Sequence, residues 1–430
     1  MDKEKWLMLI LLIIVFQNTA SGIVGVIQIN RHGARTGRHF SNLTSELFYG
    51  SGEEELTING YRQVEKLGQW IAERYIYYDY KLLSPDFNLE EILIKTSSKL
   101  RTIFSAAGFM KGLYPLSETL PVFLSHCKYE DKCNYLKDDD VPPIVNYSSR
   151  RNIPKIRLTV ADPDEDIIFH AEFCRLSRNS TFNKNLKDYL IKTEIYNITR
   201  EEIREAINDI KSKWEDPFIG LPEDVIYTKK FLSYLYAFIS HTEYHFENKY
   251  FGLSNQTTLL MKKLCLEDWY DVRLVENCAF KLINSPMFYN FIIHLDTLVD
   301  NYNQGNTKFK YLLLSGHDTN IVNVISTIIN KDILLKMLDS FEKYYDFLQP
   351  PYASSFIIEL HASESQDSDH FLNPTKKFFI RILYNGNILR EELSQELKYD
   401  HSTDGIDYKI FREFLLNKID MNYKYLDCHR

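Results

Sequence analysis

Two strand-length apolar runs constrain this chain more than any other feature: Ile23–Ile29 (I-V-G-V-I-Q-I) and Phe309–Ser315 (F-K-Y-L-L-L-S). Neither shows the in-out alternation of a strand with one wet face, so both read as strands buried on two sides. That burial is the habit of a parallel sheet covered by helices. Each run stops at a polar cluster: Asn30-Arg31-His32-Gly33-Ala34-Arg35 after the first, Gly316-His317-Asp318 after the second. In open α/β sheets, ligands bind beyond the carboxyl ends of the strands, so both clusters fall where a site is expected.

Strand–helix alternation surrounds these runs. Tyr61, Val64, Leu67, Ile71 and Tyr75 recur at helical spacing, with Thr57 as the cap. A short strand at Ile92–Ile94, a helix over about 101–112 and a helix over about 320–329 follow the same logic. Strands at Ser355–Leu360 and Phe378–Tyr384 come last, the second ending at the turn pair Asn385-Gly386. The alternation covers 23–124 and 306–430, while 125–305 is mostly helical and loop-like. With no Gly/Ser-rich or Pro-rich linker around it, that middle portion reads as an insertion. The fold class is therefore α/β, a central mainly parallel sheet flanked by helices with an inserted, mostly helical cap. A chain of 430 residues that is 44% hydrophobic is ample for such a body.

Residues 1–22 stand apart. Lys3 and Lys5 precede eleven apolar residues, Trp6–Phe16, and then Thr19-Ala20-Ser21-Gly22. This is the layout of a secretory signal peptide, and the run is shorter than the roughly 20 residues a membrane span needs. The chain is thus expected in the secretory pathway, secreted or in the lysosomal lumen, without a stable membrane span after cleavage. Five sequons, at Asn42, Asn146, Asn179, Asn197 and Asn255, are compatible with that route. Six cysteines in an oxidising compartment suggest disulfides, with fifteen pairings open. Cys127 and Cys133 could close a small loop, as could Cys265 and Cys278, which would leave Cys174 and Cys428 as a long-range tie. Buried free thiols are the competing reading.

The formal charge is −8, from 51 basic and 59 acidic residues, which argues against nucleic acid as a partner. It does not argue against a small phosphorylated ligand, for which a few arginines suffice. Arg31, Arg35 and Arg101, which follows the Ile92–Ile94 strand, would join His32 and His317 in a strongly positive crevice. Guanidinium forks match phosphate oxygens and stabilise a transferring phosphoryl group. Surrounding cations would keep a nucleophilic histidine neutral in acid, and Asp318, if protonated, could protonate the leaving alcohol. This chemistry calls for no cofactor or metal. Either histidine could be the nucleophile.

Arg31-His32-Gly33-Ala34-Arg35 with His317-Asp318 late in the chain resembles the histidine acid phosphatases, branch 2 of the histidine phosphatase superfamily. Leu56-Thr57-Ile58-Asn59-Gly60 with Gln63 and Leu67-Gly68, Arg101-Thr102 with Ser105-Ala106, and Gly112-Leu113-Tyr114-Pro115 resemble further family motifs in the same order. Pro350-Pro351-Tyr352-Ala353-Ser354 is similar to an element of the prostatic and lysosomal members. The resemblance implies a phosphoglycerate-mutase-like sheet. It implies His32 as the nucleophile that becomes phosphohistidine, phosphate held by Arg31, Arg35, Arg101 and His317, and Asp318 as the acid. It also matches Cys174 and Cys428 to a long-range disulfide. Many relatives form dimers, which makes a homodimer an option here, although no segment argues an interface.

Three positions depart from the family pattern: Gly37 where proline is usual, Lys95 where arginine is usual, and Leu100 where an acidic residue precedes Arg101. The expected activity is hydrolysis of phosphate monoesters. A narrower phosphatase acting on inositol phosphates or lysophospholipids is one alternative, and an anion-binding protein with a decayed site is another. Other clusters read as ordinary surface. His241-Thr-Glu-Tyr-His245 lacks the H-E-x-x-H order of a metal site, Asp138-Asp139-Asp140 reads as a loop, and Glu53-Glu54-Glu55 as a charged lead-in to a helix.

Overall fold

The computed structural model describes residues 22–37, 54–114, 122–125, 156–160, 168–169, 195–214, 218, 220–246, 252–270, 273–274, 278–306, 308–364 and 376–420. Among them a nine-stranded sheet forms the centre. Its strands are β1 (Gly22–Arg31), β2 (Ile92–Thr96), β3 (Val122–Ser125), β4 (Ile156–Val160), β5 (Tyr311–Gly316), β6 (Ser355–Glu364), β7 (Lys376–Tyr384), β8 (Asn387–Ile388) and β9 (Ile406–Asp407). The order is β3-β4-β2-β5-β1-β6-β7-β8, with β9 also on β7. The first five strands in that order run parallel, and β6 turns the sheet antiparallel.

Burial explains the run at the start of the chain. Val24, Val26, Ile27 and Ile29 of β1 are all at most 8% exposed. Side chains of this kind contribute roughly 1.5–3 kcal/mol each when buried. Val26 faces a core beneath helices α1 (Ile58–Ala72) and α2 (Leu100–Leu113), while Ile27 and Ile29 face a second core. Thr57 caps α1 by accepting from the Gly60 amide. The two helices nearly touch backbone to backbone: a Cβ on Gly68 would lie 2.0 Å from the Phe109 carbonyl oxygen, and one on Gly112 1.9 Å from that of Glu65. Only glycine permits that approach.

Beyond the sheet, α3 (Arg200–Lys211), α4 (Lys229–Phe246) and α5 (Asn255–Tyr270) share a separate apolar core of Ile207, Leu232, Phe238, Met261 and neighbours. These helices lie inside the span 125–305. The expected boundaries do not follow the sheet, however. β4 lies within it, and α6 (Cys278–Asn303) contributes Phe288, Phe291 and Leu295 to the same core as β1. Helices α7 (Asp318–Ile328), α8 (Lys331–Asp339), α9 (Phe341–Leu348) and α10 (Tyr408–Lys418) complete the body.

One buried ionic cluster crosses the sheet. Glu359 of β6 is fully buried and accepts from Arg74 Nη2 at 2.7 Å, the Tyr75 hydroxyl at 2.6 Å and His361 Nε2 at 3.0 Å. Burial alone would raise its carboxyl, but the His361, Arg74 and Tyr75 contacts outweigh that and hold it below the ordinary value.

The cysteine expectation needs correcting. Cys265 is a free, buried thiol in α5, so it is not bonded to Cys278. Its side chain faces the helical core and the Gln349 amide, 3.8 Å from Sγ, and burial pushes the thiol up to about 12. Cys127, Cys133, Cys174 and Cys428 lie outside the described residues, as do residues 1–21 and Asn42, Asn146 and Asn179. Asn197 and Asn255 are exposed just before and at the start of helices. No described helix is long and apolar enough to cross a membrane.

Candidate active site

Three parallel strands end at one level. Arg31 of β1 registers with Gly316 of β5, and Thr96 of β2 with Ser315. The next residues, His32, His317 and Ser97, therefore emerge side by side at the carboxyl edge. The expected residues Arg31, His32, Arg35, Arg101, His317 and Asp318 are gathered here. His32 and His317 have ring centroids 5.6 Å apart, and Arg101 is the charge felt most strongly at His32.

His32 is held in one tautomer. Its Nδ1 lies 2.8 Å from the Gly33 carbonyl oxygen, an atom that can only accept. Nδ1 therefore carries the proton, and Nε2 keeps the lone pair. Burial, then Arg101, Arg31, His317 and Arg35, drive the imidazole well below the ordinary histidine range. A neutral ring with a lone pair on Nε2 is what nucleophilic attack in acid requires.

The loop that presents His32 is clamped by the other motifs. The Gly33 amide donates to Ser105 Oγ at 3.0 Å and the Ala34 amide to Gln63 Oε1 at 2.9 Å. Thr57 Oγ1 donates to the Ala34 carbonyl, and Gly33 and Gly60 meet with no room for a Cβ on either. On the other side, the Pro350–Ser354 segment wraps the end of β1. Arg31 Nη1 donates to the Pro350 carbonyl at 2.6 Å, its guanidinium lies 4.1 Å over the Tyr352 ring, and the Ala353 amide donates to the His32 carbonyl at 3.2 Å. Ala353 has φ +58°, a strain that turns the chain there.

Three guanidinium groups converge on the site. Among the described residues, none accepts from the buried Nε of Arg31, Arg35 or Arg101. Buried donors left in that state are a fit for phosphate oxygens. Arg101 is lowered to about 10 by burial and by Arg35, against the opposing charges of Glu54 and Asp318. His317 precedes α7, with its amide donating to Asn320 Oδ1 at 2.8 Å and its Nε2 2.9 Å from Ser97 Oγ. Asp318 opens α7, and its Oδ2 lies 2.9 Å from Arg31 Nη2.

Two departures from the family pattern find structural counterparts. A Cβ on Gly37 would lie 2.6 Å from the ring of Phe238 in α4, so an apolar contact from the helical portion occupies the space a proline would take. Leu100 is 47% exposed, and the carboxylate on Arg101 comes instead from Glu54, whose Oε2 is 3.1 Å from Nη1. Lys95 Nζ donates to Asn290 Oδ1 of α6 at 2.9 Å. Sequence reasoning missed Glu54, Ser97 and the roles of Gln63 and Ser105. Glu54 was hidden in a run of three acids, and its pair with Arg101 and its φ of +61° single it out.

No group of three or more His, Cys, Asp or Glu among the described residues is placed to hold a metal ion, and the side chains of His241 and His245 lie outside them. The family model of the histidine phosphatase superfamily (branch 2) matches residues 16–385. The chain belongs to that superfamily. As a branch-2 histidine phosphatase it is a hydrolase of phosphate esters, and solved structures share its fold. The phytase of Klebsiella sp. ASR1 aligns with a TM-score of 0.56 at 14% identity, over 94% of this chain and 97% of that one. Hafnia alvei phytase in complex with myo-inositol hexakis sulphate gives 0.56 at 11%, over 94% and 98%. Bifidobacterium longum multiple inositol polyphosphate phosphatase in complex with phosphate gives 0.52 at 12%, over 90% and 93%. At these identities the likeness is one of fold.

Proposed function

We propose that this histidine phosphatase hydrolyses phosphate monoesters in acid through a phosphohistidine on His32, with Asp318 as general acid. The observation that carries the reading is the pairing of Nδ1 of His32 with the Gly33 carbonyl beneath three convergent arginines. Nε2 of His32 attacks phosphorus, the ester P–O bond breaks, and the leaving oxygen takes the proton of Asp318. Water then attacks the phosphohistidine, gives its proton to the Asp318 carboxylate, and phosphate and neutral His32 are restored. Arg31, Arg35, Arg101 and His317 hold the equatorial oxygens through both steps.

The contact between Arg31 and Asp318 ties the acid to the phosphate site. Arg31 Nη2 sits 2.9 Å from Asp318 Oδ2, so arriving phosphate competes with that carboxyl group for the same guanidinium.

The test is p-nitrophenyl phosphate hydrolysis by protein lacking residues 1–22, over about pH 4 to 8 with EDTA present, and alkaline-quench trapping of phosphoenzyme from labelled substrate. Activity in acid, indifferent to chelator, with label lost in His32→Ala, is the expected outcome. Turnover without a trappable phosphohistidine would sink the mechanism. Folded protein that binds phosphate without any turnover would favour the decayed-site reading.

A second reading, a phosphatase of inositol phosphates, is favoured by one observation: the similar structures include a phytase and a multiple inositol polyphosphate phosphatase. We further infer a secretory-pathway protein, secreted or lysosomal, from the apolar leader and the sequons.

A further inference from the structure

The site carries a negative charge that the proposed chemistry does not use. Glu54 Oε2 lies 3.1 Å from Arg101 Nη1, and Glu54 is the more exposed partner, at 23% against 10% for the arginine side chain. The residue adopts φ +61°, which costs a non-glycine side chain energy, and its amide bonds the Gly37 carbonyl at 3.3 Å. The chain thus holds a strained glutamate against an arginine that faces His32, Arg35 and Asp318. An acid is an odd choice beside a pocket for anions, and Leu100, the position next to Arg101, supplies no charge in its place.

We propose that Glu54 is a specificity determinant which selects phosphate esters with a single phosphate group over polyphosphorylated ones. This rests on the phosphatase reading above and narrows its substrate class. The scissile phosphate meets three guanidinium groups and His317, which outweigh one carboxylate. A second phosphate on the same substrate finds those cations already engaged and meets Glu54, the more exposed member of its pair with Arg101. A second phosphate within the roughly 8 Å Debye length of Glu54 at physiological ionic strength feels its repulsion with little screening. A partly buried carboxylate at such range is worth about tenfold in affinity. An ester with a neutral alkyl or aryl body meets no such penalty.

Glu54→Gln keeps the shape and removes the charge, and Glu54→Gly suits the +61° backbone. For wild type and both variants, calorimetry gives Kd for inorganic phosphate and for myo-inositol hexakis sulphate, and kinetics give kcat/KM for p-nitrophenyl phosphate and myo-inositol hexakisphosphate. Both variants should tighten the hexakis sulphate about tenfold while phosphate changes less than about threefold, and the kcat/KM ratio should move toward the hexakisphosphate by a similar factor. If both ligands change by one common factor, or the hexakis sulphate binds more weakly, Glu54 only orients Arg101 and the proposal is wrong. If the wild type turns over neither substrate, the phosphatase reading fails, and the ratio of the two Kd values still decides the role of Glu54.

Discussion

Gly33 and Gly60 meet where the loop bearing His32 rests on the start of α1: a Cβ on Gly33 would lie 2.0 Å from the Gly60 carbonyl oxygen, and one on Gly60 2.0 Å from that of Ala34. Both contacts are backbone to backbone, so no side chain can swing aside. Gly60→Ala should cost about 3 kcal/mol or more and lower kcat by moving His32, while a surface change such as Lys66→Ala leaves both intact. Thermal unfolding beside p-nitrophenyl phosphate kinetics checks this, and a Gly60→Ala protein of wild-type stability would contradict the close approach.

The depressed pKa of His32 has a direct kinetic signature. Its imidazole stays neutral well below pH 6.5, so the acid limb of kcat/KM should not appear near the ordinary histidine value. Stability moves the opposite way. Below pH 6.5 the unfolded chain binds a proton that folded His32 refuses, so this residue costs stability as pH falls. The Tm of His32→Ala minus that of the wild type should therefore rise between about pH 7.5 and pH 5. A flat difference would mean the ring is not held neutral.

Asp318 is tested through the leaving group. Alkyl alcohols need a proton as they depart and nitrophenol hardly does, so Asp318→Asn should slow an alkyl phosphate about 100-fold or more beyond its effect on p-nitrophenyl phosphate. Equal losses on the two substrates would remove Asp318 from the acid role.

The contact between Gly37 and Phe238 joins the helical portion to the site loop. Gly37→Ala forces its Cβ within 2.6 Å of the Phe238 ring and should cost about 1–3 kcal/mol. In a Phe238→Ala background the same change should cost less than about 0.5 kcal/mol. A double-mutant cycle with no coupling would show that the loop does not feel the helix.

Glu359 is the acid-labile strut of the sheet. Its folded pKa is lowered, so it contributes stability above the unfolded value near 4.3 and loses it as pH falls through that range. Glu359→Gln leaves Arg74 without its buried counter-charge and should cost about 3–5 kcal/mol at neutral pH, with the gap to wild type narrowing below about pH 4. Denaturant titrations at the two pH values read this out.

Much of the fold was legible because its strongest signals are local. β1 and β5 announce themselves as apolar runs ending in polar clusters, and α1 by its spacing. Asp318 was expected just before a helix, and it is the first residue of one, since its neighbour His317 ends the β5 turn. What was not legible depends on distant packing. β4 looks like any short β-branched stretch until β2 and β3 flank it, and the Arg101–Glu54 pair joins residues that sequence keeps in separate elements. The Cys265–Cys278 pairing failed because closeness in sequence says nothing about which face of α5 a side chain takes. Gly37 was visible only as a departure from proline, and that Phe238 fills the space depends on distant packing.

The strand order also sets a clock for synthesis. β1 is the first strand of the sheet to be made, and its two neighbours, β5 and β6, begin only at Tyr311 and Ser355. At about 5–20 residues per second, that strand waits roughly 15–60 s with both edges bare. Through that interval the growing chain carries an unpaired, aggregation-prone I-V-G-V-I-Q-I segment tipped with uncompensated arginines. A complete site therefore waits for β5 and β6, and depends on whatever shields one strand until its partners are made.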